Sequence, residues 1–295
     1  MLPSSLYDDL KKLLTEAYGT PVVKFRVQPV RGGSINQTFK LDLSASRVLF
    51  CNVNNAATFP HLFLNEQQGL EALRKAGPVK TPGIIACATL QSYQVLLLEW
   101  IDSGTKTPAF FERFGKQLAA LHQTTSETFG WVQDNYMGSV PQQNTLHQDW
   151  TPFFVHRRLE PLVQQCLSKH LLTAKEYGLF EKLYQRLPQL FADGEKPALL
   201  HGDLWGGNYL CNQQAEPVLI DPAVYYGHRC MDLAMTTLFG GFDKRFYDAY
   251  AHHFPLPKNY NEQLRLCNLY PLLIHLLLFG RSYLTPVQQT LLDFL

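Results

Sequence analysis

The sequence predicts an α+β chain of two lobes: a small antiparallel β-sheet lobe with one key helix, then a larger, mainly helical lobe. Three observations predict it. Short strand-like runs crowd the stretch 22–98. Beyond Thr107, apolar residues recur at three and four residues, the spacing of helices. At 295 residues, 46% of them apolar, the chain is long enough for one large domain or for two lobes sharing a cleft.

Residues 2–18 form an amphipathic helix, with Leu6, Leu10, Leu13, Leu14 and Ala17 at helical spacing and Gly19 to end it. The runs 23–30, 38–43 and 47–53 read as antiparallel strands, joined by 31–36 and by the turn Ser44-Ala45-Ser46. Leu62–Ala76 is helical and stops at Gly77-Pro78; Ile84–Leu90 and 93–98 then complete a five-stranded sheet. Residues 1–98 thus make one lobe, 99–107 a connector and 108–295 the second lobe. In the second lobe Phe111, Phe114, Leu118 and Leu121 mark a helix face, and 130–146 is a long loop rich in Gln, Asn and Pro. Helices are expected over 150–167, 175–191, 232–238, 246–252, 261–279 and 286–295.

Composition excludes several function classes. The net charge is +1, from 26 basic and 25 acidic residues, so no nucleic-acid or anionic-membrane footprint is present. Cysteines at 51, 87, 166, 211, 230 and 267 form no close pair, which argues against zinc or redox motifs and a disulfide framework. The N-terminus lacks a basic region followed by an apolar run, and the most apolar stretch, 272–279, spans eight residues and contains His275. A soluble, cytoplasmic protein is expected, with neither nucleic acid nor membrane as partner.

The chemistry concentrates in His201-Gly202-Asp203-Leu204-Trp205-Gly206-Gly207-Asn208 and in Val218-Leu219-Ile220-Asp221. A carboxylate, an amide five residues on, and a second carboxylate leaving a short apolar strand divide the labour of phosphoryl transfer. Asp203 is the candidate base for an acceptor hydroxyl. Asn208 and Asp221 offer hard oxygens to Mg²⁺. The glycines allow tight turning and close approach of a ligand. The competing reading, an Asp/Asn-rich turn that satisfies its own backbone, explains a lone Asp-Gly pair better than this spaced triple. His201 is read as a loop brace or a substrate contact. Trp205 stacks on a sugar face or an attached amine, or belongs to the core. Asp232, near a helix start, is read as a cap or backbone brace.

This layout resembles the signature of kinase-like phosphotransferases and, more closely, the fructosamine kinase (ketosamine kinase) family. The likeness also runs through Gly32-Gly33-Ser34-Ile35-Asn36-Gln37, Asn65-Glu66-Gln67-Gln68-Gly69-Leu70, Asp149-Trp150-Thr151-Pro152, Asp221-Pro222-Ala223, Asp232-Leu233-Ala234-Met235 and Leu278-Phe279-Gly280. It implies a kinase-like fold whose first lobe binds ATP. Gly33, Ser34 and Asn36 would lie over the phosphates, and the backbone of Glu99, Trp100 and Ile101 would meet adenine. Asp149 would help to frame the acceptor pocket. Glu66, at helical spacing with Phe63 and Leu70, would pair with a strand lysine that holds the phosphates. Here the chain departs: the family's third strand reads Phe-Val-Lys-Val-Asn, and this one reads Phe50-Cys51-Asn52-Val53-Asn54. Asn52 brings a hydrogen bond without charge, and Lys40 is the nearby cation that alternation leaves open. Ile274 and Arg281 stand where the family carries Asn and Gly.

The implied reaction is Mg·ATP-dependent phosphorylation of the 3-hydroxyl of a ketosamine, a sugar–amine adduct, in a deglycation role. Two alternatives stand beside it: another small-molecule kinase on this scaffold, and a nucleotide- or partner-binding pseudoenzyme, which Asn52 favours.

Overall fold

The computed structural model describes residues 2–30, 35–44, 47–192 and 194–295. Helix α1 (Ser4–Tyr18) is followed by strands β1 (Arg26–Pro29), β2 (Gln37–Ser44) and β3 (Arg47–Asn55), helix α2 (Leu62–Ala76), and strands β4 (Ile84–Leu90) and β5 (Tyr93–Glu99). The five strands form one antiparallel sheet in the order β1-β2-β3-β5-β4. The alternation of β3 decides which helix covers which face. Leu49, Cys51 and Val53 point to the face that α1 covers with Leu6, Leu10 and Leu14. On the other face Leu96 and Leu98 of β5 pack against Leu62, Phe63 and Leu70 of α2. Asn52 pairs with Leu96 on one side and Thr38 on the other, so its side chain shares the α2 face. Both helices stop at left-handed glycines, Gly19 (φ 63°) and Gly77 (φ 90°).

After β5 the chain crosses to the helical lobe. Gly104 presses against residue 212: its N–H donates to the Cys211 carbonyl at 2.7 Å, and a Cβ there would lie 1.9 Å from the Asn212 carbonyl oxygen. Helix α3 (Pro108–Leu121) starts with Thr107 accepting from the Phe110 N–H and with proline in its first turn. The remaining elements are β6 (Asn135–Met137), β7 (Val140–Gln142), α4 (Trp150–Phe153), a π-helical turn (Phe154–Leu159), α5 (Glu160–Ser168) and α6 (Ala174–Leu190). They continue with β8 (Ala198–Leu200), β9 (Tyr209–Cys211), β10 (Pro217–Leu219), β11 (Tyr225–Gly227), α7 (Cys230–Met235), α8 (Lys244–His253), α9 (Tyr260–Cys267), α10 (Leu269–Phe279) and α11 (Leu284–Asp293). Phe110, Phe114 and Leu118 of α3 meet Phe246 and Tyr250 of α8 in one core cluster. Gly115 permits that crossing, since its Cβ would come within 2.1 Å of the Phe246 carbonyl.

Three expectations change. The loop 130–146 contains the β6–β7 hairpin, closed by Gly138-Ser139 with Gly138 at φ 58°. The helix expected over 150–167 carries a π-turn, because Pro161 has no N–H to give the carbonyl of Arg157. The helix expected over 261–279 breaks at Asn268, three residues before Pro271, which has no N–H to offer Cys267. Among the described residues, no helix is long and apolar enough to cross a membrane.

Candidate active site

Asp203 lies in the loop from β8 to β9, and Asp221 in the loop from β10 to β11. These short strands pair β8 with β11 and β9 with β10, so the two loops are brought side by side. Gly202 makes the contact possible. It holds φ 85°, and a Cβ on it would sit 2.0 Å from the Ala223 carbonyl oxygen. The Ala223 N–H in turn donates to the His201 carbonyl at 2.8 Å.

The Asp203 loop is held from beneath. Buried Asp232 accepts from the N–H groups of His201 (2.7 Å) and Gly202 (2.8 Å), and from His122 Nε2 at 3.2 Å. His201 Nε2 faces the Ile220 carbonyl at 2.9 Å. A carbonyl only accepts, so Nε2 carries the proton and Nδ1 is left to accept from the Asp203 N–H at 3.3 Å. Burial depresses the His201 pKa, with Asp232 opposing, and the ring stays neutral in this role. Asn208 Nδ2 donates to the main-chain carbonyl of Asp203 (2.8 Å) and to its Oδ2 (2.9 Å). Its Oδ1 therefore points to other partners. Burial pushes the Asp203 carboxyl up to about 7, against the pull of the Asn208 amide and with the negative charges of Asp221 and Asp232 adding to it.

Two cavities meet at Asp221. The sheet-side cavity, about 280 Å³, is lined by Val30, Thr38, Phe50, Asn52, Leu98, Glu99, Trp100, Ile101 and Asp221. The loop-side cavity, about 530 Å³, is lined by Leu62, Asn65 and Glu66 of α2, by Asn135, Tyr136 and Gly138 of the hairpin, and by Asp203, Trp205, Asn208 and Asp221. Asn36 and Gly207 line both. Asp221 sits at the divide with φ 51°, in the left-handed region that aspartate enters more readily than most residues. Helix α2 reaches it because Gly69 leaves room for Pro222: a Cβ there would meet the proline ring at 3.1 Å.

Among the described residues, the partner of Glu66 is a carboxylate, not a cation. Glu66 hydrogen-bonds Asp221, and burial and the Asp221 charge push its carboxyl well above the usual range; burial raises Asp221 as well. Two carboxylates in contact, one of them buried, hold a proton between them. Glu66 Oε1 and Asn52 Oδ1 are both buried with no hydrogen-bond partner among the described residues. Lys40 shares the face of Asn52, opposite Phe50. Its ammonium lies 5.0 Å from the Trp100 ring centroid and 3.5 Å from Asp42, near the connector.

Of the residues singled out in the sequence, Asn36, Asn52, Glu66, Trp100, Ile101, Asp203, Asn208 and Asp221 converge on the two cavities. Gly33 and Ser34 lie outside the described residues. Glu99 reaches the sheet-side cavity, but its N–H and its carboxylate are both engaged with Gly83. Trp205 lines the loop-side cavity with its ring folded over Gly207, where a Cβ would come within 2.4 Å of the indole. His201 is fully buried and lines neither cavity, which favours the brace over the substrate contact. Asp149 is exposed ahead of α4 and also lines neither cavity. Sequence reasoning missed Asn65, Asn135 and Tyr136. The Gly-Ser turn at 138–139 was the available signal for the hairpin carrying the last two.

Comparison with known proteins identifies the family. The family model described as fructosamine kinase matches residues 6–295. A probable ketoamine kinase of Lactiplantibacillus plantarum is 39% identical over 272 residues, covering 91% of this chain and 94% of its own. The chloroplastic protein-ribulosamine 3-kinase of Arabidopsis thaliana is 33% identical, covering 96% and 86%. A crystal structure from Thermobifida fusca, provisionally assigned as a fructosamine-3-kinase, superposes with a TM-score of 0.87 at 33% identity, covering 97% and 98%. An aminoglycoside-3'-phosphotransferase shares the fold alone, with a TM-score of 0.54 at 17% identity. The chain therefore belongs to the fructosamine kinase family and is a phosphotransferase.

Proposed function

We propose that this chain transfers the γ-phosphoryl group of ATP to a sugar hydroxyl of a ketosamine, the 3-hydroxyl by analogy with its relatives, in a deglycation role. The observation that carries the proposal is the meeting of the two cavities at Asp221, with Asp203 and Asn208 on the same wall. Adenine would occupy the sheet-side cavity, between Phe50, Leu98 and the Trp100-Ile101 backbone; the acceptor would occupy the loop-side cavity. The donor set fits Mg²⁺: Asn208 Oδ1 and the Asp221 carboxylate are hard oxygens, and among the described residues the Glu66–Asp221 pair meets no cation. When bound, the ion supplies positive charge that offsets the phosphate oxygens.

Asp203 accepts the proton of the attacking hydroxyl as the new O–P bond forms and the bond to ADP breaks. Asn208 fixes the carboxylate, so that one oxygen faces the acceptor without rotating. Asp232, His201 and His122 keep the loop in that geometry before substrate arrives. Residues 1–98 serve as the nucleotide-binding lobe, 99–107 as the hinge and 108–295 as the catalytic lobe, and we place the protein in the cytoplasm.

Asn52 favours a second reading, a nucleotide-binding pseudoenzyme. ATP-dependent phosphorylation of a fructosyl- or ribulosyl-amine with Mg²⁺, beside Asp203→Asn, separates the two. Turnover lost in the variant supports the kinase; Mg·ATP binding with no turnover of any sugar–amine or small-alcohol acceptor supports the pseudoenzyme.

A further inference from the structure

A strip of aromatic side chains leaves the loop-side cavity and runs across the surface of the helical lobe. Trp205 lines the cavity and is 38% exposed. Its ring meets Phe239 edge-on at 6.1 Å. Phe239 meets His275 at 4.8 Å, and His275 meets Phe279 at 5.4 Å and Tyr283 at 5.0 Å. Phe239 and Phe279 are 49% and 59% exposed.

The backbone indicates that this exposure is built in. Phe239 holds φ 54°, a left-handed conformation that a bulky residue adopts at a cost, and Gly240 beside it carries no such cost. The fold thus places a phenyl ring, not a glycine, at the strained position next to Trp205. His275 adds one polar group. Its Nδ1 donates to the Pro271 carbonyl at 2.7 Å, and its ring packs among those of Phe239, Phe279 and Tyr283.

We propose that this strip is a binding subsite for the amine portion of the acceptor, and that it selects amines bearing an apolar, aromatic substituent. The inference rests on the ketosamine reading above. In a ketosamine the nitrogen sits on C1, two carbons from the 3-hydroxyl. With that hydroxyl at Asp203, the nitrogen substituent leaves the cavity past Trp205 and meets Phe239 and Phe279. Offset or edge-on ring contacts hold it there. Phe279 belongs to the Leu278-Phe279-Gly280 motif, to which the transfer chemistry itself gives no role.

The test compares two ketosamines of one sugar, made from benzylamine and from methylamine, with a glycated lysine peptide as a third acceptor. The native protein is expected to favour the benzylamine adduct over both by about tenfold in kcat/KM. Phe239→Gly is expected to bring that ratio near one, through KM rather than kcat, while its melting temperature holds or rises because glycine accepts φ 54° without strain. Phe279→Ala lowers the ratio part of the way. Equal use of the adducts by the native protein, preference for the peptide, or an equal loss on both adducts in Phe239→Gly overturns the subsite. If no adduct is phosphorylated, the kinase reading fails separately, and calorimetric titration decides the strip: tighter binding of the benzylamine adduct, lost in Phe239→Gly, supports it, and equal binding overturns it.

Discussion

The loop carrying Asp203 and the sheet wall carrying Asn52 border the same divide, yet they are finished differently. In the loop the polar groups are committed: Asp232 takes three donors, His201 uses both ring nitrogens, and Asn208 clamps Asp203. Across the divide Asn52 Oδ1 and Glu66 Oε1 are buried with no partner among the described residues, and Glu66 leans on another carboxylate. A buried polar atom left unpaired costs about 1–3 kcal/mol. Evolved sites accept that cost where a ligand completes the pairing. On the proposed function, the difference teaches that the groups for taking a proton are preassembled, whereas those for holding phosphate are completed by what binds.

The largest effect is expected where the preassembled side is broken chemically. Asp203→Asn keeps the shape of the side chain and removes the base. We expect kcat for phosphoryl transfer to fall by about 10³-fold, with Mg·ATP affinity unchanged within a factor of about two. Steady-state kinetics and calorimetric titration check both numbers. A variant that still turns over would move the base elsewhere and erase the contrast between the two sides.

The next effect tests whether the bracing is structural. Asp232→Ala strips the partners from two buried N–H groups and from His122, so a loss of about 3 kcal/mol in unfolding free energy is expected. Urea denaturation measures it. A loss under about 1 kcal/mol would mean that the loop is held mainly by the packing of β8 against β11.

Asn52→Lys completes the other side. Asn52 lies on the sheet face that α2 covers, and Glu66 of α2 has an unpartnered oxygen. A lysine there would ion-pair with Glu66, release Asp221 from it and offer charge to phosphate. Adding one such donor is expected to raise kcat/KM for ATP by about 10²-fold. No gain, beside normal ATP binding, would favour the pseudoenzyme.

How much of this was legible differs by region for physical reasons. The sheet lobe was readable because residues 38–43 alternate polar and apolar, 47–53 is rich in strand formers, and Gly77-Pro78 stops a helix unambiguously. The Asp203 loop was readable because its contacts are local: Asp203 and Asn208 are five residues apart, and Asn208 donates to Asp203 directly. The β6–β7 hairpin was not, since three-residue strands are too short to show a period. Nor was the Glu66–Asp221 contact. The sequence shows a carboxylate on an apolar helix face, but only the close packing of Gly69 on Pro222 decides which group it meets. Asn65 and Tyr136 reach the cavity through tertiary placement alone.

The smallest expected effect links the base to stability. Asp203 is shifted from an ordinary 3.8 up to about 7, chiefly by burial. In the metal-free protein, between those values, the folded chain holds a proton that the unfolded chain has released. Folding is therefore favoured at the acid end of this window, and the contribution is lost as pH rises through about 7. Asp203→Asn cannot titrate. Its melting temperature relative to the native protein should climb by a few degrees between pH 5 and pH 8. Glu66 and Asp221 titrate in both proteins and largely drop out of the difference. The rate of phosphoryl transfer carries the opposite sign, because only the ionised carboxylate accepts a proton, so activity rises over the range in which the fold loses this support. A flat melting difference, with activity already at its plateau at pH 5, would show that Asp203 ionises like an exposed carboxylate. The preassembled side would then owe its reactivity to position alone.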